Sequence, residues 1–293
     1  MTTADDLAGA FEAERPYLRR LAYSTLGSFA DADDVVQEAW LRLQRADAGA
    51  IRDLRGWLTT TVGRLALDAL RSARRRREQY VGPWLPEPLV EDPDAEDPAE
   101  RVTLDERVTT ALLVVLERLS PAERTAFVLH DVFGLPFDDV AEVVGRGPAA
   151  VRQLASRARR HVKDGTPRFP ASDEEHARIV SAFAVSWRAG DLNALLGVLD
   201  PQVTYTADGG GRAIAARRPL HGARRVAGVL EAFNRMAGDA RVRVARVNDR
   251  PGLVVVGDGP RVTAVLSLTV DAGRIVAVDV VRNPDKLRNV RGA

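Results

Sequence analysis

The sequence predicts a multidomain chain with two all-α domains followed by an α+β domain. Three observations carry this. Residues 5 to 78 and 105 to 165 space their apolar side chains by three and four, the helical period. Residues 79 to 104 lie between them with five prolines, which rules out regular structure there. From residue 171 two helical patterns give way to alternating or continuously apolar runs separated by turn residues, the order of an α+β fold.

Composition sets outer bounds. The 293 residues are 45% hydrophobic and 28% charged, enough to bury two or three cores. No apolar run approaches the length of a membrane span and the start, MTTADDLAGAFEAE, is acidic, so no membrane partner is expected and the cytoplasm is the expected compartment. The chain has no cysteine, which excludes thiolate zinc sites, disulfides and thiol sensing. No metal site, cofactor or catalytic constellation is expected in the helical half.

In the first domain Asp31 reads as an N-cap. Val36, Ala39, Trp40 and Leu43 then form a buried stripe, and Asp34, Gln37, Glu38 and Leu41 form a second face at i, i+3, i+4, i+7. That face is acidic with one aliphatic, which on its own suits a solvated helix. A further helix runs from about Asp53 to Glu78, with Trp57, Leu58, Thr61, Leu65 and Ala69 inward. Its outward residues are Arg64, Arg71 and Arg74 to Arg77. One or two cations would complement the helix dipole, so four consecutive arginines argue for a polyanion.

In the second domain Ser120, Pro121 and Glu123 spell a helix start with a capping box. Gly134 and Pro136 stop that helix, a short one covers Phe137 to Val144, and Gly145-Arg146-Gly147 leads to a third. The third helix puts Val151, Leu154, Ala155, Ala158 and Val162 on one face. Arg146, Arg152, Arg157, Arg159, Arg160 and Lys163 occupy the turn and the other faces, with no acid among them before Asp164. An ordinary solvated face would mix in acids, and this one suits the phosphate-lined major groove. Arg152, Gln153, Ser156 and Arg157 lie towards the end that reaches base edges.

DADDVVQEAWLRL followed by DLRGWLTTTVGRLALDALRSARRRRE resembles region 2 of bacterial sigma factors, and the Leu119 to Lys163 stretch resembles region 4. The compact order resembles the extracytoplasmic-function group. That resemblance implies an alternative sigma factor with core RNA polymerase and promoter DNA as partners. Asp34, Gln37, Glu38 and Leu41 would meet the polymerase. Arg64, Arg71, Arg74 and Arg75 would meet the downstream promoter element. Arg146, Arg152, Gln153, Ser156, Arg157 and Arg160 would meet the upstream one.

The linker carries nine acids against one arginine between Glu87 and Glu106, an extended anionic strap. Its start, Trp84-Leu85-Pro86-Glu87-Pro88, is too apolar for a plain tether and reads as a docking peptide. Residues 171 to 290 follow. Helices are expected over Ser172 to Gly190, Asp191 to Leu199 and about Ala223 to Met236. Strands are expected over Gln202 to Thr206, Arg241 to Val247, Leu253 to Val256, Arg261 to Val270 and Arg274 to Val281, in a curved antiparallel sheet. Asp258-Gly259 and Asp271-Ala272-Gly273 read as turns. The order resembles the SnoaL-like cone fold, in which Tyr205, Asp208, Arg212, His221 and Asp279 would be the polar groups facing a pocket.

Asp208-Gly209-Gly210-Gly211-Arg212 reads as a loop where glycines permit close backbone approach, and Asn283-Pro284-Asp285-Lys286-Leu287 as a turn with one apolar anchor. With WLPEP, these motifs resemble the SigJ-type subgroup of sigma factors, whose fused C-terminal domain modulates the sigma part in place of a separate anti-sigma factor. An unidentified small ligand in that domain is compatible with the reading. Two others are a helix-turn-helix regulator that does not act through core polymerase, and a DNA-tethered SnoaL-like cyclase or isomerase. Of these, the sigma factor, which is no enzyme, is the expectation.

Overall fold

The computed structural model describes residues 4–77, 79–91, 108–257 and 259–292, with the side chains of residues 4, 5, 48 and 74–77 outside the description. The described chain divides into two compact units. The first comprises residues 4–77, 108 and 112–165, and the second comprises residues 79–91, 109–111, 166–257 and 259–292.

In the first unit α1 (Ala4–Leu26) ends at Gly27, whose φ of 69° is left-handed. α2 (Phe29–Arg45) begins on Ser28, whose Oγ accepts the Asp31 N–H. Asp31 therefore lies inside the helix and is not its N-cap. Ser28 wins because Gly27 has just ended α1 and the earlier start buries Phe29 stacked on Tyr23, 4.2 Å between ring centres. Val36, Ala39 and Leu43 are buried as expected, with Trp40 half-buried 4.9 Å from the Phe11 ring.

A 3₁₀ turn (Ala48–Ala50) precedes α3 (Leu54–Arg77). Its buried stripe is Leu58, Val62, Ala66, Leu70 and Ala73, while Trp57, Leu65 and Ala69 are only half-buried. Leu58 and Thr61 are buried as expected, and Thr59 is buried beside them, so the stripe is shifted slightly around the helix. The Thr59 hydroxyl is satisfied by donating to the Arg55 carbonyl at 2.7 Å.

α4 (Thr110–Leu116), α5 (Pro121–Phe127), a π-turn (Val128–Val132), α6 (Phe137–Val144) and α7 (Pro148–Gly165) follow. Ser120 and Glu123 close the capping box: Ser120 Oγ accepts the Glu123 N–H and Glu123 Oε2 accepts the Ser120 N–H. Gly145, φ 70°, ends α6, and Val151, Leu154, Ala155 and Ala158 are buried along α7.

The second unit opens with α8 (Asp173–Ala189), capped by Ser172 and ended by left-handed Gly190, then α9 (Leu192–Val198) capped by Asp191. The six strands are β1 (Leu199–Asp208), β2 (Leu220–His221), β3 (Arg241–Val247), β4 (Arg250–Val256), β5 (Val262–Asp271) and β6 (Arg274–Val281), with α10 (Ala223–Ala237) between β2 and β3. Their order in the sheet is β2-β1-β6-β5-β4-β3.

The sheet is mixed, not wholly antiparallel, because β1 and β6 pair in parallel. That pairing closes the first strand of the unit onto the last and brings Asp208 beside Val281. β3 and β4 join through Asn248 and Asp249, both at positive φ, a turn that twists with the strands. Ala272 and Gly273, also at positive φ, turn β5 into β6, while Asp258 lies outside the described residues.

One sheet face carries the core. Phe183, Trp187, Leu230 and Phe233 from the helices meet Val203, Tyr205, Leu253, Leu266 and Val278, and Trp187 Nε1 donates to the Leu230 carbonyl at 2.7 Å. Asp208 and Asp279 alternate with inward-facing Ala207, Val278 and Val280, so both aspartates point away from that core.

Candidate functional site

Three surfaces carry exposed or concentrated polar groups: the outer face of α2, the cationic helices α3 and α7, and the face of the sheet beneath residues 79 to 91. On α2, Asp34 and Gln37 are exposed, Leu41 is 37% exposed, and Glu38 pairs with Arg42 at 3.0 Å. An exposed leucine flanked by acids is compatible with a basic, partly apolar partner.

On α3, Arg71 pairs with Asp68 at 2.9 Å, and the side chains of Arg74 and Arg75 lie outside the described residues. Arg64 points at α6 within the same unit: its Nη2 donates to the Glu142 carboxylate at 2.9 Å and to the Glu142 carbonyl at 3.2 Å. Beside it a Cβ on Gly63 would meet the Val143 methyls at 3.0 and 3.3 Å, so the two helices touch where Gly63 has no side chain. Tyr17 and Phe133 meet edge to face at 5.7 Å, with Arg20 over both rings.

On α7, Arg146, Gln153, Ser156 and Arg160 are exposed. Arg152 lies over the Phe137 ring at 5.4 Å, and Arg157 pairs with Glu123 at 2.9 Å. Arg159 pairs with Asp131 at 2.5 Å. Glu123 of α5 and Asp131 of the π-turn thus supply acids to Arg157 and Arg159, while Arg146 before the helix and Arg152, Arg160 and Lys163 along it are exposed.

The sheet face beneath the linker is the most elaborated polar site. Asp208 is fully buried at the end of β1. Its Oδ1 accepts from the Tyr80 hydroxyl at 2.6 Å and the Gly210 N–H at 3.0 Å, and its Oδ2 accepts from the Leu85 N–H at 2.9 Å and Lys286 Nζ at 2.8 Å. Lys286, 8% exposed, also donates to the Leu85 carbonyl and sits 3.7 Å from the centre of the Trp84 ring. One carboxylate and one ammonium therefore hold both backbone groups of Leu85 and the face of Trp84.

Neighbouring residues close the site. Asn283 Nδ2 donates to the Tyr80 hydroxyl at 2.8 Å, and the Arg282 and Asn283 N–H groups donate to the Asp208 carbonyl. Gly210 and Gly211 have φ of 58° and 72°. A Cβ on Gly210 would overlap the Asn283 amide and approach the Tyr80 hydroxyl to 3.0 Å, and one on Gly211 would meet Val81 at 3.2 Å. Gly209 is likewise closed against Ala213 and Ala215. Arg212 pairs with Asp285 at 3.1 Å, Pro86 and Leu287 are buried, and Pro284 is half-buried. Burial and the Asp208 carboxylate push the Tyr80 hydroxyl well above its ordinary pKa, keeping it a neutral donor.

Sequence reasoning missed Tyr80 and Asn248. The linker continues past Pro88 as an added edge strand: Val90 bridges Val247 antiparallel, and the Glu91 N–H donates to the Arg246 carbonyl. Asn248 Oδ1 accepts the Leu89 N–H at 3.2 Å, and the Asn248 N–H donates to the Leu89 carbonyl. The signal for Tyr80 is an aromatic two residues before the Gly82-Pro83 pair, a pattern that on its own suits a loop.

The polar groups expected in a cone pocket do not converge. Tyr205 faces the core, where burial lifts its pKa to about 12. Asp208 and Asp279 face the other side of the sheet, and His221 and Arg212 are exposed. The interior is occupied by Trp187, Phe183 and Phe233.

Comparison with known proteins matches two stretches of the chain to family models. Residues 10–76 match Sigma-70 region 2 and residues 109–162 match Sigma-70 region 4. The chain is 44% identical to the ECF RNA polymerase sigma factor SigJ of Mycobacterium tuberculosis, over 94% of this chain and 91% of that one. It is 38% identical to the probable ECF RNA polymerase sigma factor SigI of the same species, over 99% and 98%. The crystal structure of M. tuberculosis SigJ superposes with a TM-score of 0.79 at 40% identity, covering 96% of this chain and 98% of that one. The helical unit, the α+β unit and these relatives together make the chain a member of the extracytoplasmic-function sigma factors, with a C-terminal α+β domain like that of SigJ.

Proposed function

We propose that this alternative sigma factor, which directs core RNA polymerase to specific promoters, is governed by how its second unit holds residues 79 to 91. The observation that carries the proposal is the buried Asp208–Lys286 pair with Leu85 and Trp84 in its grip. Those residues lie in the chain between the two DNA-binding regions, so holding or releasing them changes the free length of the tether.

The acidic α2 face of Asp34, Gln37, Glu38 and Leu41 is the surface for core polymerase. Arg64, Arg71, Arg74 and Arg75 serve the downstream promoter element, and Arg64 reaches it only after leaving Glu142. Arg146, Arg152, Gln153, Ser156, Arg157 and Arg160 serve the upstream element, with Arg157 exchanging Glu123 for DNA. The fused domain acts where another chain would need a separate anti-sigma factor. It works by grip and not by turnover, in keeping with Asp208 and Asp279 pointing away from its core.

Run-off transcription with core polymerase tests this. The full chain, a chain ending before residue 171 and one ending before Asn283 are expected to give different yields from one target promoter, and equal yields count against the reading. A pull-down in which core polymerase fails to bind the full chain would favour a helix-turn-helix regulator acting without polymerase.

A further inference from the structure

A second, cationic cleft lies at another corner of the C-terminal domain, away from the linker residues. It has a volume of about 670 Å³ and is formed where the end of α9, the start of β1, β2, the first turn of α10 and the start of β6 come together. Arg224, Arg225 and Arg274 line it, with His221 beside them, and Leu196 and Pro201 contribute an apolar floor. None of its lining residues is acidic.

Among the described residues, five arginines of this domain are engaged by acids, whereas those of the cleft, like Arg178 and Arg188 on α8, are not. Arg212, Arg235, Arg246, Arg250 and Arg288 each pair with a carboxylate. Among the described residues no carboxylate pairs with Arg224, Arg225 or Arg274. Asp200 and Asp271, the acids beside the lining in sequence, are turned to backbone amides instead, Asp200 to Gln202 and Asp271 to Arg168 and Phe169.

Two lining groups are held in place. Arg274 Nη1 donates to the Leu199 carbonyl at 3.1 Å, and His221 Nδ1 lies 3.2 Å from the Thr204 hydroxyl. Guanidinium groups without acid partners around a concave apolar floor attract a compact anion and reward one with an apolar body. A duplex backbone would be better served by a flat, extended cationic surface.

We infer that this cleft binds a small organic phosphate, the phosphate between Arg224, Arg225 and Arg274 and its apolar body over Leu196 and Pro201. Titration calorimetry of the full chain at fixed ionic strength tests this, with phenyl phosphate and inorganic phosphate as probes. One saturable site is expected, tighter for phenyl phosphate. Arg224→Ala with Arg274→Ala is expected to weaken it at least about tenfold, the loss of a charge-assisted hydrogen bond, with the thermal midpoint lowered only by the lost Arg274–Leu199 bond. Arg225→Ala alone, which removes no hydrogen bond of the fold, is expected to weaken it in the same direction. A control that removes two exposed arginines of α8, Arg178→Ala with Arg188→Ala, is expected to leave binding unchanged.

The absence of saturable heat with either anion overturns the inference, as does equal weakening in both double variants. Equal affinity for the two anions overturns the apolar body. Loss of duplex DNA affinity in the Arg224→Ala, Arg274→Ala variant, with no heat from phenyl phosphate, replaces the small ligand with nucleic acid.

Discussion

Lys286 Nζ stands 2.8 Å from Asp208 Oδ2 at a site where Asp208 is fully buried, and both side chains hold Leu85 by its backbone. Removing one partner leaves the other charge buried and unpaired, which costs about 3–5 kcal/mol. Asp208→Ala is therefore expected to release the linker. Chymotryptic cleavage at Tyr80 and Trp84 is then expected to accelerate at least about a hundredfold, since the protease samples the open population. Unchanged cleavage would mean that the pair does not hold the linker.

Glycine chemistry gives an independent handle on the same site. Gly210→Ala puts a methyl into the Asn283 amide at a backbone φ of 58°, and is expected to destabilise the grip by about 1–3 kcal/mol. Gly228→Ala in α10, where nothing lies within 4 Å of a new Cβ, is expected to stabilise by about 0.5–1 kcal/mol. Urea denaturation of the two variants side by side measures the contrast.

Arg64 and Glu142 meet on an exposed surface, with side chains 48% and 62% accessible, so their pairing contributes about 0–1 kcal/mol. Glu142→Ala is expected to leave the melting temperature nearly unchanged and to raise promoter-complex formation by loosening Arg64, which then keeps only its bonds to the residue 142 carbonyl. Arg64→Ala is expected to lower it. Gel-shift titration of the polymerase–promoter complex reads both, and the same direction for both variants would contradict a DNA role for Arg64.

His176 is buried on α8 with Nε2 2.9 Å from the Leu268 carbonyl and Nδ1 without a partner among the described residues. Burial holds its pKa below the ordinary value of 6.5, with Arg250 adding to the effect and Asp173 opposing it. The unfolded chain therefore binds the proton more readily, and stability is full above about pH 6.5 and falls as pH drops through that value towards the folded pKa. The loss is at most about 1.4 kcal/mol per pH unit. His176→Phe is expected to flatten this part of the stability–pH profile in urea titrations between pH 5 and 7, and an unchanged slope would assign it to other groups.

The parts of this fold that were legible in the sequence are those set by neighbours in the chain. The Ser120–Glu123 capping box, the helix from Ser172 to Gly190 and the α7 stripe are local patterns, and the structure has them there. Asp31 misled because Ser28, three residues earlier, is an equally good cap, and only the burial of Phe29 chooses between them. The parallel β1–β6 pair was invisible because alternation along a strand carries no direction. Asp208 and Asp279 were assigned to a pocket by residue type, whereas their face is fixed by strand register, which a single sequence does not reveal. Tyr80 and the Val90–Val247 bridge depend on partners far along the chain.

The most direct measurement is run-off transcription by reconstituted polymerase from one target promoter, using full-length chains that carry Trp84→Ala with Leu85→Ala, Asp208→Ala, or all three. The expected result is a change in transcript yield of the same sign in every variant, with the triple variant no larger in effect than the stronger of the other two. Yields equal to that of the unmodified chain, at matched polymerase binding, would contradict a regulatory grip on the linker.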